Sequence, residues 1–281
     1  MQQRRRTVRG RKLSSELRRL REKSGMSGEQ VAERLGWSQS KVSRIETGRT
    51  SVQPKELRRL LDLYGIPEER HGRYVDLRRG AKVKGWWDDY ADAIPRDYAN
   101  YIELENEASS VAIFTPQVVT GILQTEEYAR EIIQAALLFS PPGEVKRRIK
   151  VRMERQERFL SDESRTLDVV LDEAVLRRQI GTSMTMREQL LHLLVLMGRS
   201  NINLQVLSAS SGAHPSTAGE FTILGFPGED DDDVVHVEAM TSSLYVEEEA
   251  QVFYYRLAYN RLCELALSPA ESRAFIESLV E

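Results

Sequence analysis

The sequence predicts an α+β protein in which a five-helix N-terminal domain precedes a helical segment and a small, mostly antiparallel sheet packed by helices. Two observations lead to this fold class. Between residues 13 and 80, apolar residues recur at helical spacing, and the breaks between them hold helix-capping residues. After about residue 165 the period changes to two, and five short apolar runs alternate with turn-forming pieces. We therefore expect a basic arm over residues 1–12, a helical domain over 13–80 and an α+β domain over 81–281.

The charge of the chain is divided sharply between its two parts. Residues 1–84 hold 23 Lys and Arg against 10 Asp and Glu, a net charge of +13. Residues 85–281 hold 17 against 33, a net charge of −16. A basic domain joined to an acidic remainder is the distribution expected when the first binds a polyanion and the second must not.

Composition excludes other classes of protein. Hydrophobic residues make up 41% and charged residues 30% of the chain, which is typical of soluble globular proteins. No apolar run approaches the roughly 18 residues that a membrane span needs, and no apolar stretch follows the basic N-terminus to make a secretory signal. The single cysteine, Cys263, excludes an internal disulfide framework. We expect a cytoplasmic protein with no membrane partner.

The helices of the first domain are predicted from their apolar faces and from the residues at their ends. Leu13, Leu17 and Leu20 give the first helix one apolar face, and Val42 and Ile45 point inward from the third. The residues that end or open the helices are Gly25, Ser27 with Gln30 as a capping box, Gly36, Ser38, Gly48, Pro54 and Pro67.

Residues 30–48, QVAERLGWSQSKVSRIETG, predict two short helices joined by a tight turn at Gly36. Ala32 is small enough for the second helix to pack across the first, as in a helix-turn-helix. The sequence closely resembles the Cro/C1-type (XRE) DNA-binding domain over residues 13 to about 65. The small residue, the turn glycine, the inward pair Val42 and Ile45, and the Ile-Glu-x-Gly ending all occur in register.

The resemblance implies which residues meet DNA, because in that family the second helix of the motif enters the major groove. Base edges would be contacted by Gln39, Ser40, Ser43 and Arg44, where Gln suits adenine and Arg suits guanine. Phosphates would be contacted by Ser27, Lys41, Thr47, Arg49 and Thr50, for which a solvated polar face is the alternative. The expected partners are a double-stranded DNA operator and a second copy of the chain, as a homodimer. The arm over residues 1–12 either follows the DNA backbone or is a solvated tail.

An ion pair between Arg21 and Glu46 is also predicted. Arg21 ends the first helix and Glu46 ends the third, so the two side chains can meet beneath the motif. The resemblance implies the same pair. The alternative is an exposed Glu46, which would repel phosphates.

The acidic domain begins at Gly85 with aromatic residues, an apolar helix, a loop and a helix capped by Thr125. A break at Pro141, Pro142 and Gly143 leads into one long helix. Five strands are predicted from TLDVVLDE, INLQVLS, EFTILGF, DVVHVEA and SLYVE, with the helix MTMREQLLHLLVLMGR between the first two. Two helices close the chain, the first at about residues 250–266 and the second capped by Ser268.

Several segments of this domain, among them WWDDYADAIPRDYANYIELENEA, LDVVLDEAVLRRQIG and INLQVLSASSGAHPSTAGEFTILGF, look like a C-terminal domain found in many actinobacterial regulators. That domain follows a Cro/C1-type head and has no assigned chemistry. The resemblance implies an antitoxin-like transcriptional regulator, whose partner can be a small acidic protein encoded by a neighbouring gene. One departure is Thr120, where the family usually has proline.

The acidic domain offers little catalytic chemistry. Its histidines are His192, His214 and His236, and no HExxH, CxxC, GxGxxG or P-loop pattern occurs. The acidic run from Glu229 to Asp233 lacks the spacing of an EF-hand, which favours a solvated loop. We expect no metal, no cofactor and no enzymatic activity.

A ligand or partner site is the open question of this domain. Trp86, Trp87 and Tyr90 either form core or interdomain packing, or line a pocket opposite the segment GILQTEEY, which holds Gln124. His214 lies in a Gly/Ser/Pro-rich loop and is a further candidate for ligand contact. The sequence thus predicts a sequence-specific DNA-binding regulator whose acidic domain receives a signal from a small ligand or a small partner protein. The alternatives are an antitoxin-like protein that mainly sequesters its partner, and an enzyme with a DNA-targeting head.

Overall fold

The computed structural model describes residues 8–80, 85–137, 142–227 and 233–280. The first part of the predicted arm, residue 141 of the predicted break and residues 229–232 of the acidic run lie outside these ranges. The chain forms two compact units, residues 1–86 and 87–281, so that the boundary falls between Trp86 and Trp87. None of the helices in the described ranges combines the length and apolar character of a membrane span.

Helices make up the N-terminal unit, and helices and strands alternate in the C-terminal unit. The helices are α1 Val8–Lys23, α2 Gly28–Leu35, α3 Gln39–Glu46, α4 Pro54–Leu63, α5 His71–Gly80, α6 Arg96–Glu107, α7 Glu126–Ala136, α8 Pro142–Leu160, α9 Glu173–Arg177, α10 Ser183–Leu196, α11 Glu249–Leu265 and α12 Pro269–Val280. The strands are β1 Ser110–Thr115, β2 Thr166–Asp172, β3 Ile202–Leu207, β4 Phe221–Gly225, β5 Val234–Glu238 and β6 Ser243–Val246. Short 3-10 turns lie at Glu68–Arg70, Trp86–Tyr90, Gly121–Leu123 and Ala209–Ser211.

The N-terminal unit has the predicted five helices within its described residues, packed around one apolar core. Its innermost side chains, each at most 2% exposed, are Leu17, Val31, Val42, Ile45, Leu57, Leu60 and Leu61. The first helix differs from the prediction, because α1 begins at Val8 and takes in residues 8–12 of the predicted arm. No proline or capping residue interrupts residues 8–12, so the helix extends back through them.

The C-terminal unit contains one sheet of six strands among the described residues, in the order β3-β2-β1-β4-β5-β6. The β1–β4, β4–β5 and β5–β6 pairings are antiparallel, whereas the β1–β2 and β2–β3 pairings are parallel. The predicted α+β class is therefore confirmed, with a mixed sheet. Helices connect the parallel strands, as a parallel crossover requires.

β1 corrects the prediction, which assigned its residues to a helix and loop. Residues Val111 to Thr115 are all buried, so the strand is apolar on both faces and has no period-two alternation. This strand lies at the centre of the sheet, between β2 and β4.

The two faces of the sheet are covered by different helices. Phe114, Phe221 and Val235 belong to an apolar cluster that includes Tyr259 and Leu262 of α11. On the opposite face the strand register aligns Ile113 of β1, Thr222 of β4, His236 of β5 and Tyr245 of β6 in one row. Tyr101 of α6 covers this row, with its ring centroid 4.6 Å from that of His236.

Candidate functional site

The helix-turn-helix is held by the caps that the sequence predicts. The Ser27 hydroxyl accepts a hydrogen bond from the Gln30 amide at 3.1 Å, and the Gln30 side chain accepts one from the Ser27 amide at 2.9 Å. Gly36 has a φ of 68° and turns the chain between α2 and α3. Ser38 then caps α3 by accepting from the Lys41 amide at 3.3 Å. Local hydrogen bonds thus fix where each helix begins and ends.

The outer face of α3 carries the four residues assigned to base edges. All four are exposed: Gln39, Ser40, Ser43 and Arg44. Val42 and Ile45, each 2% exposed, anchor the opposite face in the core. Among the residues that the structure describes, the side chains of Gln39 and Arg44 have no hydrogen-bond or ion-pair partner. Both therefore keep their full hydrogen-bonding capacity for a ligand.

Four of the residues assigned to phosphates lie at exposed positions around the motif: Ser27, Thr47, Arg49 and Thr50. The Ser27 hydroxyl accepts from Gln30 and keeps its own proton for a phosphate oxygen. The Thr47 hydroxyl instead donates to the Ser43 carbonyl at 2.7 Å. Thr47 must give up that bond before it can donate to DNA.

Lys41, the fifth of these residues, faces α4. Its ammonium lies 2.6 Å from the carboxylate of Glu56 and 4.3 Å from the centre of the Trp37 ring. Burial opposes ionisation of Glu56, but Lys41 and the Gln53 amide outweigh it and lower the pKa of that carboxyl. The sequence analysis did not predict this pair, although Glu56 stands at the first turn of α4, where carboxylates are favoured. Lys41 therefore joins α3 to α4.

The predicted pair of Arg21 and Glu46 is present with two-point geometry. Nε and Nη2 of Arg21 donate to the two carboxylate oxygens of Glu46 at 2.8 and 3.0 Å, and Nη1 donates to the Met26 carbonyl at 2.9 Å. The side chains are 15% and 9% exposed. The hydrogen bond to Glu46 is the main reason that the pKa of Arg21 is raised. Glu46 is thereby turned toward α1, and its charge is neutralised.

The candidate ligand or partner residues of the C-terminal unit do not form one site, because Gln124 and His214 lie on different sides of the sheet. Trp86 falls in the N-terminal unit, while Trp87 is buried in the C-terminal unit. The Tyr90 hydroxyl donates to Glu154 on α8 at 2.8 Å. His214 packs on Phe114, with ring centroids 5.3 Å apart, on the α11 side of the sheet. Gln124 lines a cavity on the other side.

A buried ion pair beside that cavity was not predicted from the sequence. Arg155 of α8 and Glu105 of α6 are 7% and 3% exposed, and Nη2 of Arg155 lies 2.8 Å from Oε1 of Glu105. Tyr98 accepts from Arg155 at 3.0 Å, and Tyr101 donates to Glu105 at 3.0 Å. Burial opposes the charge of Arg155, but Glu105 raises its pKa well above the ordinary value.

One signal in the sequence could have revealed this pair. Arg155 stands four residues after Val151 and four before Phe159, and both of these are buried. A charged residue on the apolar stripe of a helix needs a buried partner.

No group of three or more His, Cys, Asp or Glu side chains that could hold a metal ion occurs in the described part of the chain. Three histidine nitrogens there are buried without a hydrogen-bond partner: Nε2 of His192, Nδ1 of His214 and Nε2 of His236. Burial lowers the pKa of His192, and burial together with the charge of Arg155 lowers that of His236 to about 4.

A capped helix-turn-helix with a polar, exposed second helix defines a DNA-binding protein of the helix-turn-helix class. A family model for a helix-turn-helix domain matches residues 12–72. A second model, described as a domain of unknown function (DUF5753), matches residues 98–278, which is more than half of the chain. The chain belongs to the DUF5753 family. No curated protein and no solved structure matches it.

Proposed function

We propose that this protein is a cytoplasmic, sequence-specific transcriptional regulator of the Cro/C1 type that binds a two-fold operator as a homodimer. The observation that carries the proposal is the outer face of α3, where Gln39 and Arg44 are exposed and make no hydrogen bond or ion pair with the described residues. They stand on a basic unit, since residues 1–84 have a net charge of +13. Positive charge supplies affinity for phosphate, and the two side chains supply discrimination between bases.

The experiment is selection of operators from a random DNA library with the full chain, followed by footprinting. We expect an inverted repeat with half-sites about one helical turn, roughly 34–36 Å, apart. Sedimentation of the complex should give two chains per operator. Enrichment of no sequence over the starting library would contradict sequence-specific binding, and enrichment of a single half-site would contradict the homodimer.

In this proposal the C-terminal unit receives a signal and performs no catalysis. Its net charge of −16 over residues 85–281 keeps it off the DNA that the first unit binds. The described residues offer a cavity against the sheet and a surface groove between α7 and α8, which are the features expected of a receiving domain. Incubation with candidate substrates should give no turnover.

A second candidate function is that of an antitoxin-like protein that sequesters a small acidic partner. The groove between α7 and α8 favours it, because the rim carries basic side chains on a unit that is acidic overall. Its floor is apolar, with Val145, Ile149 and Met153, and its rim includes Lys146 and Lys150. Such a groove suits an amphipathic helix with an acidic face.

The test is co-purification with the product of the neighbouring gene. Lys146→Glu with Lys150→Glu should abolish capture of an acidic partner, because both substitutions reverse charge at the rim. Arg261→Glu together with Arg273→Glu, on α11 and α12, makes the same change in net charge away from the groove and should leave capture intact. Equal capture by both double variants would place the partner elsewhere.

A further inference from the structure

The cavity in the C-terminal unit is enclosed by the sheet face that carries His236 and by α6, α7 and α8. Its volume of about 340 Å³ lies at the lower end of the roughly 300–1,000 Å³ that small-molecule sites span. Ile113, Ile133 and Tyr101 give it an apolar interior. Pro95, Ala136 and Glu238 also line it and are exposed, so the cavity opens to solvent past these residues.

One wall of the cavity is cationic. Three arginines of α8 reach it, at positions 148, 152 and 155. Arg148 pairs with Glu144 and Arg155 pairs with Glu105. Arg152 has no carboxylate within 4 Å among the described residues; its Nη1 donates to Gln124 at 2.7 Å, and its Nε is buried without a partner. One guanidinium charge on this wall is therefore unmatched.

A second wall, at the sheet, is anionic. Glu220, just before β4, is partly buried and Glu238, at the end of β5, is exposed, and both line the cavity. Neither has a cationic partner within 4 Å among the residues that the structure describes. Among the described residues, Glu220 accepts one hydrogen bond, from the Thr115 hydroxyl at 3.2 Å, and that hydroxyl also lies 2.9 Å from the Val118 carbonyl. Burial, and then the charge of Glu238, raise the pKa of Glu220, which means that this carboxylate is poorly compensated by the protein.

A polar group between the two walls is also unpartnered. His236 is 7% exposed and lies between Tyr101 and Tyr245, with ring centroids 4.6 and 5.0 Å away. Its Nε2 is buried and has no hydrogen-bond partner among the described residues, and the residue lines the cavity. Buried polar atoms without partners are rare in native proteins because leaving them unbonded is costly.

We propose that this cavity binds a small zwitterionic molecule of amino-acid size, with its anionic group at Arg152, its cationic group at Glu220 and Glu238, and an apolar body beside Ile113 and Tyr101. Such a ligand satisfies the unmatched charges of both walls at once. A molecule with a single charge leaves either Arg152 or Glu220 uncompensated; both are partly buried, and a charge without a partner is unfavourable there. The inference deepens the proposed function by naming the class of signal that the C-terminal unit receives.

The test uses three probes that share a phenyl body and differ only in charge: L-phenylalanine, 3-phenylpropionate and 2-phenylethylamine. Binding to the full chain is measured by titration calorimetry and by the shift in melting temperature, at neutral pH and without DNA. We expect one site per chain and an affinity for L-phenylalanine at least about tenfold above that for either singly charged probe. Because DNA is absent, failure here leaves the DNA-binding proposal standing, and the reverse also holds.

Two variants test which wall binds each charged group of the ligand. Arg152→Gln should lower the affinity for L-phenylalanine and 3-phenylpropionate by about tenfold and leave the affinity for 2-phenylethylamine unchanged. Glu220→Gln combined with Glu238→Gln should weaken L-phenylalanine and 2-phenylethylamine and spare 3-phenylpropionate. Arg147→Gln, an exposed position on the same helix, is the matched control and should change none of them.

Three results would overturn the inference. They are no binding of L-phenylalanine at millimolar concentration, binding of a singly charged probe as tight as that of L-phenylalanine, and an equal loss in Arg147→Gln and Arg152→Gln. If a variant does not fold, the comparison of the three probes on the unmodified chain still tests the inference.

Discussion

At the scale of single residues, the N-terminal unit separates polar side chains held by other helices from those that are exposed and have no described partner. Arg21, Lys41 and Glu46 are engaged with other helices. Arg44 and Arg49 are exposed and have no described partner. The resemblance implied DNA contacts for Lys41, Arg44 and Arg49 alike, and the three-dimensional contacts set Lys41 apart because it pairs with Glu56.

Arg44→Ala should reduce affinity for the selected operator by roughly 1–3 kcal/mol and affinity for random DNA by much less, because a two-point contact to a base discriminates between sequences. Arg49→Ala is the matched control and should weaken both DNAs alike, as loss of a phosphate contact does. Gel-shift titrations at one fixed salt concentration measure the four affinities. An equal loss on both DNAs for Arg44→Ala would move Arg44 to the phosphate-binding group.

Breaking the pair of Arg21 and Glu46 should destabilise the N-terminal unit by about 3 kcal/mol for either Arg21→Met or Glu46→Gln, because the remaining charge stays largely buried. The double variant should cost less than the sum of the two. Chemical denaturation of all three gives the coupling energy. Arg18→Gln, which removes an exposed pair with Glu22 and touches neither Arg21 nor Glu46, is the control and should leave the midpoint unchanged. Additive losses would show that the two residues act independently.

His236 makes the C-terminal unit sensitive to acid. Its pKa is about 4 when folded, against about 6.5 when unfolded, so the unfolded chain binds the extra proton first. The contribution of neutral His236 to the free energy of unfolding is fully present above about pH 6.5. It is lost as the pH falls toward 4, by up to roughly 3 kcal/mol.

We expect His236→Phe to remove most of that pH dependence, because phenylalanine fits between the rings of Tyr101 and Tyr245 and cannot take up a proton. The free energy of unfolding of the C-terminal unit, compared at pH 7.5 and pH 5, measures the difference. Parallel pH profiles for the variant and the unmodified chain would contradict it.

At the scale of elements, the turn between α2 and α3 depends on one backbone conformation. Gly36 has a φ of 68°, and a Cβ added there would meet nothing within 4 Å. Gly36→Ala should therefore cost about 1 kcal/mol through backbone strain alone. Gly28→Ala is the control, since Gly28 is equally open but lies in a helix with no positive φ, and it should be neutral or slightly stabilising. Thermal melts compare the two, and equal melting temperatures would exclude a conformational role for Gly36.

Helices could be predicted from the sequence where the residues that mark their ends lie close to them in the chain. Ser27, Gly36 and Ser38 mark helix ends within three residues of the groups they satisfy, so the helix-turn-helix could be placed from the sequence. β1 could not, because it is buried on both faces and its partner strands lie far along the chain. The cavity was missed for the same reason: Arg152 and Glu220 line it from elements that lie far apart in the sequence.

At the scale of the whole molecule, the two parts of the chain have opposite net charge and are therefore expected to differ in DNA binding. Residues 85–281 alone should not bind DNA at physiological salt, because a net charge of −16 repels phosphate. Residues 1–84 should bind, with an affinity that falls steeply as salt rises. Gel shifts with both fragments measure this. Micromolar or tighter binding by the acidic fragment would contradict the division.

The pairing of β1 also sets the order in which the two units can fold during synthesis. Ser110 must wait for Thr166 and for Gly225 before the centre of the sheet can close. Helices that contact their near neighbours in sequence close sooner. At about 5–20 residues per second, translation takes on the order of ten seconds to pass from the end of the first unit to β4. Each newly made chain therefore completes the unit that carries α3 before β4 has been translated. Under the proposed function, a chain truncated in that interval would bind DNA without responding to the signal.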